Sequence, residues 1–139
     1  MDDSKYCFVK FKYIYNNEKD EDVRVVGNLD ILGNWEPKKA VKLSLNPKLD
    51  GVWKTKVKIK VPLLFNLEYK YLIFKNNNFL RWEVLSNNKN RTIKFAEKDV
   101  FILSDKPNNI TPQIKKEIID KKKGEKIIKK KKLRKKMMK

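Results

Sequence analysis

Hydrophobic and polar residues alternate at period two through much of the first hundred positions, with only brief helical possibilities between them. Cys7, Val9, Phe11, Tyr13 and Tyr15 alternate with Phe8, Lys10, Lys12 and Ile14, which predicts a half-buried strand. Residues 16–22 are polar and predict a loop, and residues 23–28 a second strand ending at Gly27-Asn28. A short third strand is expected over residues 40–45, followed by a Pro- and Asp-Gly-bearing turn at residues 46–51. Trp53, Thr55, Val57, Ile59 and Val61 then face one way and Lys54, Lys56, Lys58 and Lys60 the other. That is one strand with a wet face, and it places Trp53 in the core. Leu67, Tyr69, Tyr71 and Ile73 repeat the pattern, with Glu68 and Lys70 outward. Further strands are expected over residues 79–83, 92–95 and 100–103, separated by Asn76-Asn77-Asn78 and a polar loop at residues 86–90. Short strands at this spacing predict an all-β fold, an antiparallel sandwich or barrel of seven or eight strands.

The pattern changes after Asp105. Pro107-Asn108-Asn109 punctuates the chain, and Thr111-Pro112 suits a helix start. The expected organisation is a β-domain over residues 1–105 and a basic, largely disordered tail over residues 106–139, with a short helix at residues 112–123.

Charge reinforces this division. The net charge is +18 over 139 residues. Residues 115–139 hold 14 basic and three acidic side chains, so +11 of it lies there and +7 in the first 114 residues. Lysine runs bind polyanions, and KKKKLRKK resembles a nuclear import signal. Yet the chain has 31 Lys against 4 Arg, the pattern a compositional bias toward Lys, Asn and Ile also yields. No run approaches the ~18 apolar residues of a membrane span. The N-terminus MDDSKYCFVKF lacks the basic start of a secretory signal, and the lone Cys7 has no internal partner. A cytoplasmic location is the expectation.

Several chemistries are excluded by composition. The chain has no His, which removes the usual general base and the commonest metal ligand. One Cys and no His leave no zinc site, and the four glycines form no phosphate-cradling loop. Paired carboxylates for glycoside hydrolysis need a deep cleft that a small sandwich lacks. The expectation is a protein that is not an enzyme, with no cofactor and no metal.

Trp35 in LGNWEP and Trp82 in RWEV stand apart from the buried faces, each followed by Glu. Such rings either plug the ends of a sandwich or form a platform for a ligand. A platform suits sugar, because a glucose ring offers an apolar C–H face to the indole and hydroxyls to polar groups around it.

In order along the chain, VRVVGNLDILGNWEPKKAVKLS, Trp53 in a strand, LEYKYLIFKNNNFLRWE and NKNRTI resemble the starch-binding domains of carbohydrate-binding module family 20 over residues 6–103. The WEP-x-x-A-V-x-L wording is also similar to the glucan-binding domain of laforin-type glucan phosphatases, without the phosphatase signature. The resemblance implies an immunoglobulin-like β-sandwich that binds α-1,4-glucan (starch, amylopectin or glycogen) without catalysis. It further implies that Trp35 and Trp82 stack on consecutive glucose units, that Lys70 hydrogen-bonds a hydroxyl, and that Glu83 and Asn90 complete the rim. The step from WE to NR is longer than the family's, and Lys89 replaces a common Pro, so the amide donor is Asn87, Asn88 or Asn90. Where many members carry tyrosines of a second starch site, this chain has Lys19 and Lys48. The implied location is at starch or glycogen granules, with the nucleus as the alternative the tail suggests. Two rival readings of function remain: a basic protein whose tail binds nucleic acid or an anionic membrane, and the targeting piece of a larger glucan-modifying enzyme.

Overall fold

A computed structural model describes residues 5–85 and 89–117. The described residues form eleven strands: β1 Tyr6–Ile14, β2 Glu21–Gly27, β3 Val41–Lys42, β4 Ser44–Leu45, β5 Val52–Lys54, β6 Ile59–Pro62, β7 Leu67–Lys75, β8 Asn78–Trp82, β9 Arg91–Ile93, β10 Val100–Lys106 and β11 Asn109–Lys116. The first sheet runs β11-β10-β1-β5-β4, with β6 also paired to β1, and the second runs β3-β2-β7-β8, with β9 also paired to β7. The expected all-β sandwich is what the chain forms. Its strands exceed the seven or eight expected because residues 40–45 and 53–61 each divide in two, and because β11 is added. One pair, β1 with β10, is parallel.

The core follows from alternation. Cys7, Val9, Phe11 and Tyr13 of β1 point inward with Leu103, Ile59, Val61 and Trp53, and meet Val23, Val25, Leu67, Tyr69, Tyr71 and Ile73 from the second sheet. The Trp53 indole N–H donates to the Tyr15 carbonyl at 3.1 Å, so its polar atom is satisfied inside. Val57 departs from the pattern and is 61% exposed. The reason lies at Thr55, whose hydroxyl accepts from the Phe11 amide while its own amide donates to the Phe11 carbonyl. With a side chain standing in the ladder, the strand bends between β5 and β6, and the period-two phase is lost through Val57.

The expected boundary at residue 105 and the start of the expected helix at residue 112 are both replaced by β11. It pairs with β10 in an antiparallel hairpin whose turn is Pro107-Asn108, with Asn108 at φ 65°. Pro followed by a residue at positive φ is the arrangement of a tight turn. Pro112 is tolerated because β11 is an edge strand, where a missing N–H breaks no inner ladder. The rest of that helix, residues 118–123, and the lysine runs beyond it lie outside the described residues. Among the described residues no helix is long and apolar enough to cross a membrane.

Candidate functional site

The outer face of the second sheet is the foundation of the site. Lys70, Leu72 and Phe74 alternate on that side of β7, and the strand pairing sets Val26 of β2 beside Lys70 and Trp82 of β8 beside Leu72. Val26, Leu72 and Phe74 form a small buried cluster, and Trp35, Ala40 and Trp82 pack onto it. This is why both indoles are half-buried: one side of each ring grips the sheet and the other is left to solvent. Phe79 sets its edge against Trp82 at 5.9 Å and against Phe74 at 5.8 Å, propping the second ring.

Trp35 arrives there by an unusual backbone. Gly33, Asn34 and Trp35 take successive positive φ values of 84°, 47° and 68°. A Cβ on Gly33 would lie 2.7 Å from the Lys39 carbonyl oxygen, so only glycine fits. The Asn34 amide donates to the Asp30 carboxylate and pins the turn. A bulky aromatic in the left-handed region is a true outlier, of a kind that costs on the order of 1–3 kcal/mol. Glycine or asparagine would suit the fold better at position 35. What the strained conformation achieves is to aim an indole at the neighbourhood of Trp82.

The two ring centroids lie 6.4 Å apart with planes at 47°, too tilted to stack on each other. They form the angled floor of an open groove of about 520 Å³, lined also by Lys70, Glu83, Val84 and Asn90. All five side chains singled out from the sequence, Trp35, Lys70, Trp82, Glu83 and Asn90, therefore meet in one hollow. Asn87 and Asn88, the other candidate amides, lie outside the described residues. Among the described residues, the Lys70 ammonium and both indole N–H groups make no hydrogen bond to a side chain or to the backbone, and all three side chains line the groove. Asn90 donates through Nδ2 to the Glu68 carboxylate at 3.0 Å, which orients its amide.

Glu83 plays a different part from the rim role implied for it. Its Oε1 accepts from the Tyr13 hydroxyl and Arg91 Nη2, and its Oε2 from the Tyr71 amide and Arg91 Nε. A carboxylate has about four acceptor sites, and all are engaged within the protein. Glu83 is thus the inner wall, a buried anchor immediately after Trp82. Its partner Arg91 is fully buried, bonds Asp105 as well, and donates to the carbonyls of Lys106 and Asn109. Tyr69 and Tyr71 both donate to Asp105 Oδ2 at 2.8 Å. The two carboxylates hold the Arg91 guanidinium above its ordinary range despite burial, and burial pushes the Asp105 carboxyl up. Phe79, Val84 and Arg91 were not assigned to the site from the sequence; the aromatic and apolar residues flanking RWE were the available signal.

Among the described residues, the lining of the groove holds no thiol and no serine or threonine. Cys7 is buried in the core, where desolvation raises its thiol to about 11 and keeps it protonated at neutral pH. Among the described residues no cluster of carboxylates and thiols could hold a metal ion. Lys19 and Lys48, where a second sugar site would need aromatic rings, stand exposed in loops.

Comparison with known proteins bears on this arrangement. The starch binding domain family matches residues 6–101. Glucoamylase-1 of Arthroderma benhamiae is 35% identical over 81 residues, which are 58% of this chain and 13% of that protein. The solved family 20 carbohydrate-binding module of a maltotetraose-forming amylase from Pseudomonas saccharophila superposes with a TM-score of 0.53 at 26% identity, over 70% of this chain and 99% of that one. The family 15 glycoside hydrolase glucoamylase from Hypocrea jecorina superposes with a TM-score of 0.65 at 21% identity, over 76% of this chain and 18% of that one. The chain thus spans only a small part of the length of the glucoamylases it matches.

Proposed function

The chain belongs to the starch binding domain family and is a carbohydrate-binding module for α-glucan, and we propose that its binding surface is the groove floored by Trp35 and Trp82. The observation that carries this is the meeting of two indoles, one strained and one buttressed, with Lys70 and Asn90 in one open hollow. The 47° between the rings suits a curved polymer, whose successive units present their apolar faces at changing angles. A flat β-linked chain would favour coplanar rings. Lys70, Asn90 and the indole N–H groups then meet the hydroxyls around the stacked rings. The module has no catalytic step of its own in this reading. In a longer protein it would hold an attached catalytic domain against its polysaccharide.

Retention on insoluble starch, but not on cellulose, is the expected result of a sedimentation assay. Because a neutral sugar releases no counterions, retention should change little between ~50 and ~200 mM salt, a range over which phosphate-driven binding falls by orders of magnitude. Equal retention on both polymers, or loss with salt, would sink the proposal. Lys70→Ala should weaken malto-oligosaccharide binding only two- to tenfold, the worth of one exposed hydrogen bond of about 0.5–1.5 kcal/mol, as read by isothermal titration.

A further inference from the structure

The groove does not stop at Trp82. Trp82, Glu83 and Val84 also line a second, smaller hollow of about 230 Å³, whose other walls include Tyr13, Tyr15, Arg81, Pro107 and Asn108. The two hollows share a wall, and Val84, which belongs to it, is 71% exposed. Trp82 lies on the outer side of β8 and Arg81, paired with the inward Ile73, on the inner side, so a chain that turns over this edge strand at Val84 reaches both hollows.

The smaller hollow has sugar-binding chemistry of its own. Arg81 is half-exposed, donates from Nη2 to the Tyr15 hydroxyl at 2.6 Å, and stands 3.8 Å from Glu21. A guanidinium carries five N–H donors, so several remain for a ligand. Glu21 and Glu83 are both buried and hydrogen-bonded within the protein, leaving the pocket rich in donors and poor in free carboxylates. Asn108 adds an exposed amide at the tip of the β10–β11 turn. The volume is below the ~300–1,000 Å³ of a pocket for a drug-sized molecule and matches one ring-sized unit.

The turn that walls this hollow, Pro107-Asn108, lies beyond residue 101, where the family match ends. Its position is nevertheless fixed. Arg91 donates to the carbonyls of Lys106 and Asn109 at 2.8 and 2.6 Å, on either side of the turn, while binding Glu83 next to Trp82. One buried guanidinium thus ties the added hairpin to the root of the sugar platform.

We propose that the hollow between Arg81 and the Pro107-Asn108 turn is a further subsite for the same α-glucan chain. It takes a glucose unit beyond those over Trp35 and Trp82, with Arg81 and Asn108 hydrogen-bonding its hydroxyls. This rests on the glucan-binding reading of the groove, so the test must separate the two. Maltose and maltotriose are titrated into the full chain by calorimetry, and into an Arg81→Ala/Asn108→Gly variant. Glycine is chosen at 108 because it accepts the positive φ there. In the parent, maltotriose should bind at least fivefold more tightly than maltose. In the variant that advantage should shrink to twofold or less while maltose affinity is unchanged. An undiminished advantage in the variant, or none in the parent, overturns the subsite. Failure of the parent to bind either sugar overturns the groove reading as well. Asn108→Gly alone, which leaves the Arg81 contacts intact, should show part of the loss; a full parental advantage there together with a destabilised double variant would assign the effect to folding and overturn the subsite.

Discussion

Arg91→Ala is expected to lower the melting temperature by roughly 10 °C or more and to leave the domain partly unfolded at ambient temperature. The side chain is fully buried and donates to two carboxylates and two backbone carbonyls. Removing it strands Glu83 and Asp105 as neighbouring buried anions, and Asp105 is also the acceptor for Tyr69 and Tyr71 in mid-core. Breaking a buried pair from one side typically costs about 3–5 kcal/mol, against a total of about 5–15 kcal/mol for a domain. Arg91→Lys should recover little, because one ammonium cannot span two carboxylates and two carbonyls that a planar fork reaches together. The guanidinium also lies 5.5 Å from the centre of the Tyr71 ring, a contact a lysine at that depth would not reproduce. A thermal melt of Arg91→Ala within about 4 °C of the parent would show that the network is dispensable.

That network was hidden from the sequence for a physical reason. Alternation tells which side of a strand a residue faces, so the inward sets of β1 and β7 were legible from Cys7–Tyr13 and Leu67–Ile73. It does not tell which partners a charged residue at a strand end will meet. Glu83 faces inward because it follows the outward Trp82, but Arg91, Tyr13 and Tyr71, which bind its carboxylate, come from other strands. Asp105 is similar. It continues the inward set Phe101 and Leu103 of β10, but nothing in SDKPNN announces the buried guanidinium and tyrosine hydroxyls that its carboxylate meets. The helix expected at residue 112 failed on a related point. NITPQIKK is too polar to announce a strand, and its pairing to β10 is made by backbone groups that carry no side-chain signature.

The candidate site was more legible than its support. Trp35 and Trp82 are rings without a place in any alternating face, and Lys70 sits outward on the clearest strand in the chain. The sequence did not disclose that the two indoles share a hydrophobic footing on Val26, Leu72 and Phe74. The run Tyr71-Leu72-Ile73-Phe74 is apolar on both sides of β7, buried inward by the sandwich and outward by the platform. A continuous apolar run of this kind signals a strand covered on both faces.

Trp35→Ala and Trp82→Ala should each abolish detectable retention on starch while leaving a folded domain. Each ring supplies a stacked face whose loss is worth on the order of 2 kcal/mol or more, about a thirtyfold drop in affinity. Both are half-buried and rest on the outer cluster, so their truncation opens no enclosed cavity. Alanine keeps a Cβ on the left-handed backbone at position 35, so the strain there is common to parent and variant and does not by itself lower the melt. Trp53→Ala is the contrasting control. That indole is 5% exposed, donates to the Tyr15 carbonyl and packs among the core of both sheets, so its removal leaves a cavity costing about 3–5 kcal/mol. Thermal melts and maltohexaose titrations of the three variants should therefore separate cleanly: early melting for Trp53→Ala, lost binding with near-parental melting for the other two. If Trp35→Ala and Trp82→Ala bind like the parent and melt early instead, both rings are plugs of the sandwich. The sugar would then have to dock somewhere other than this groove.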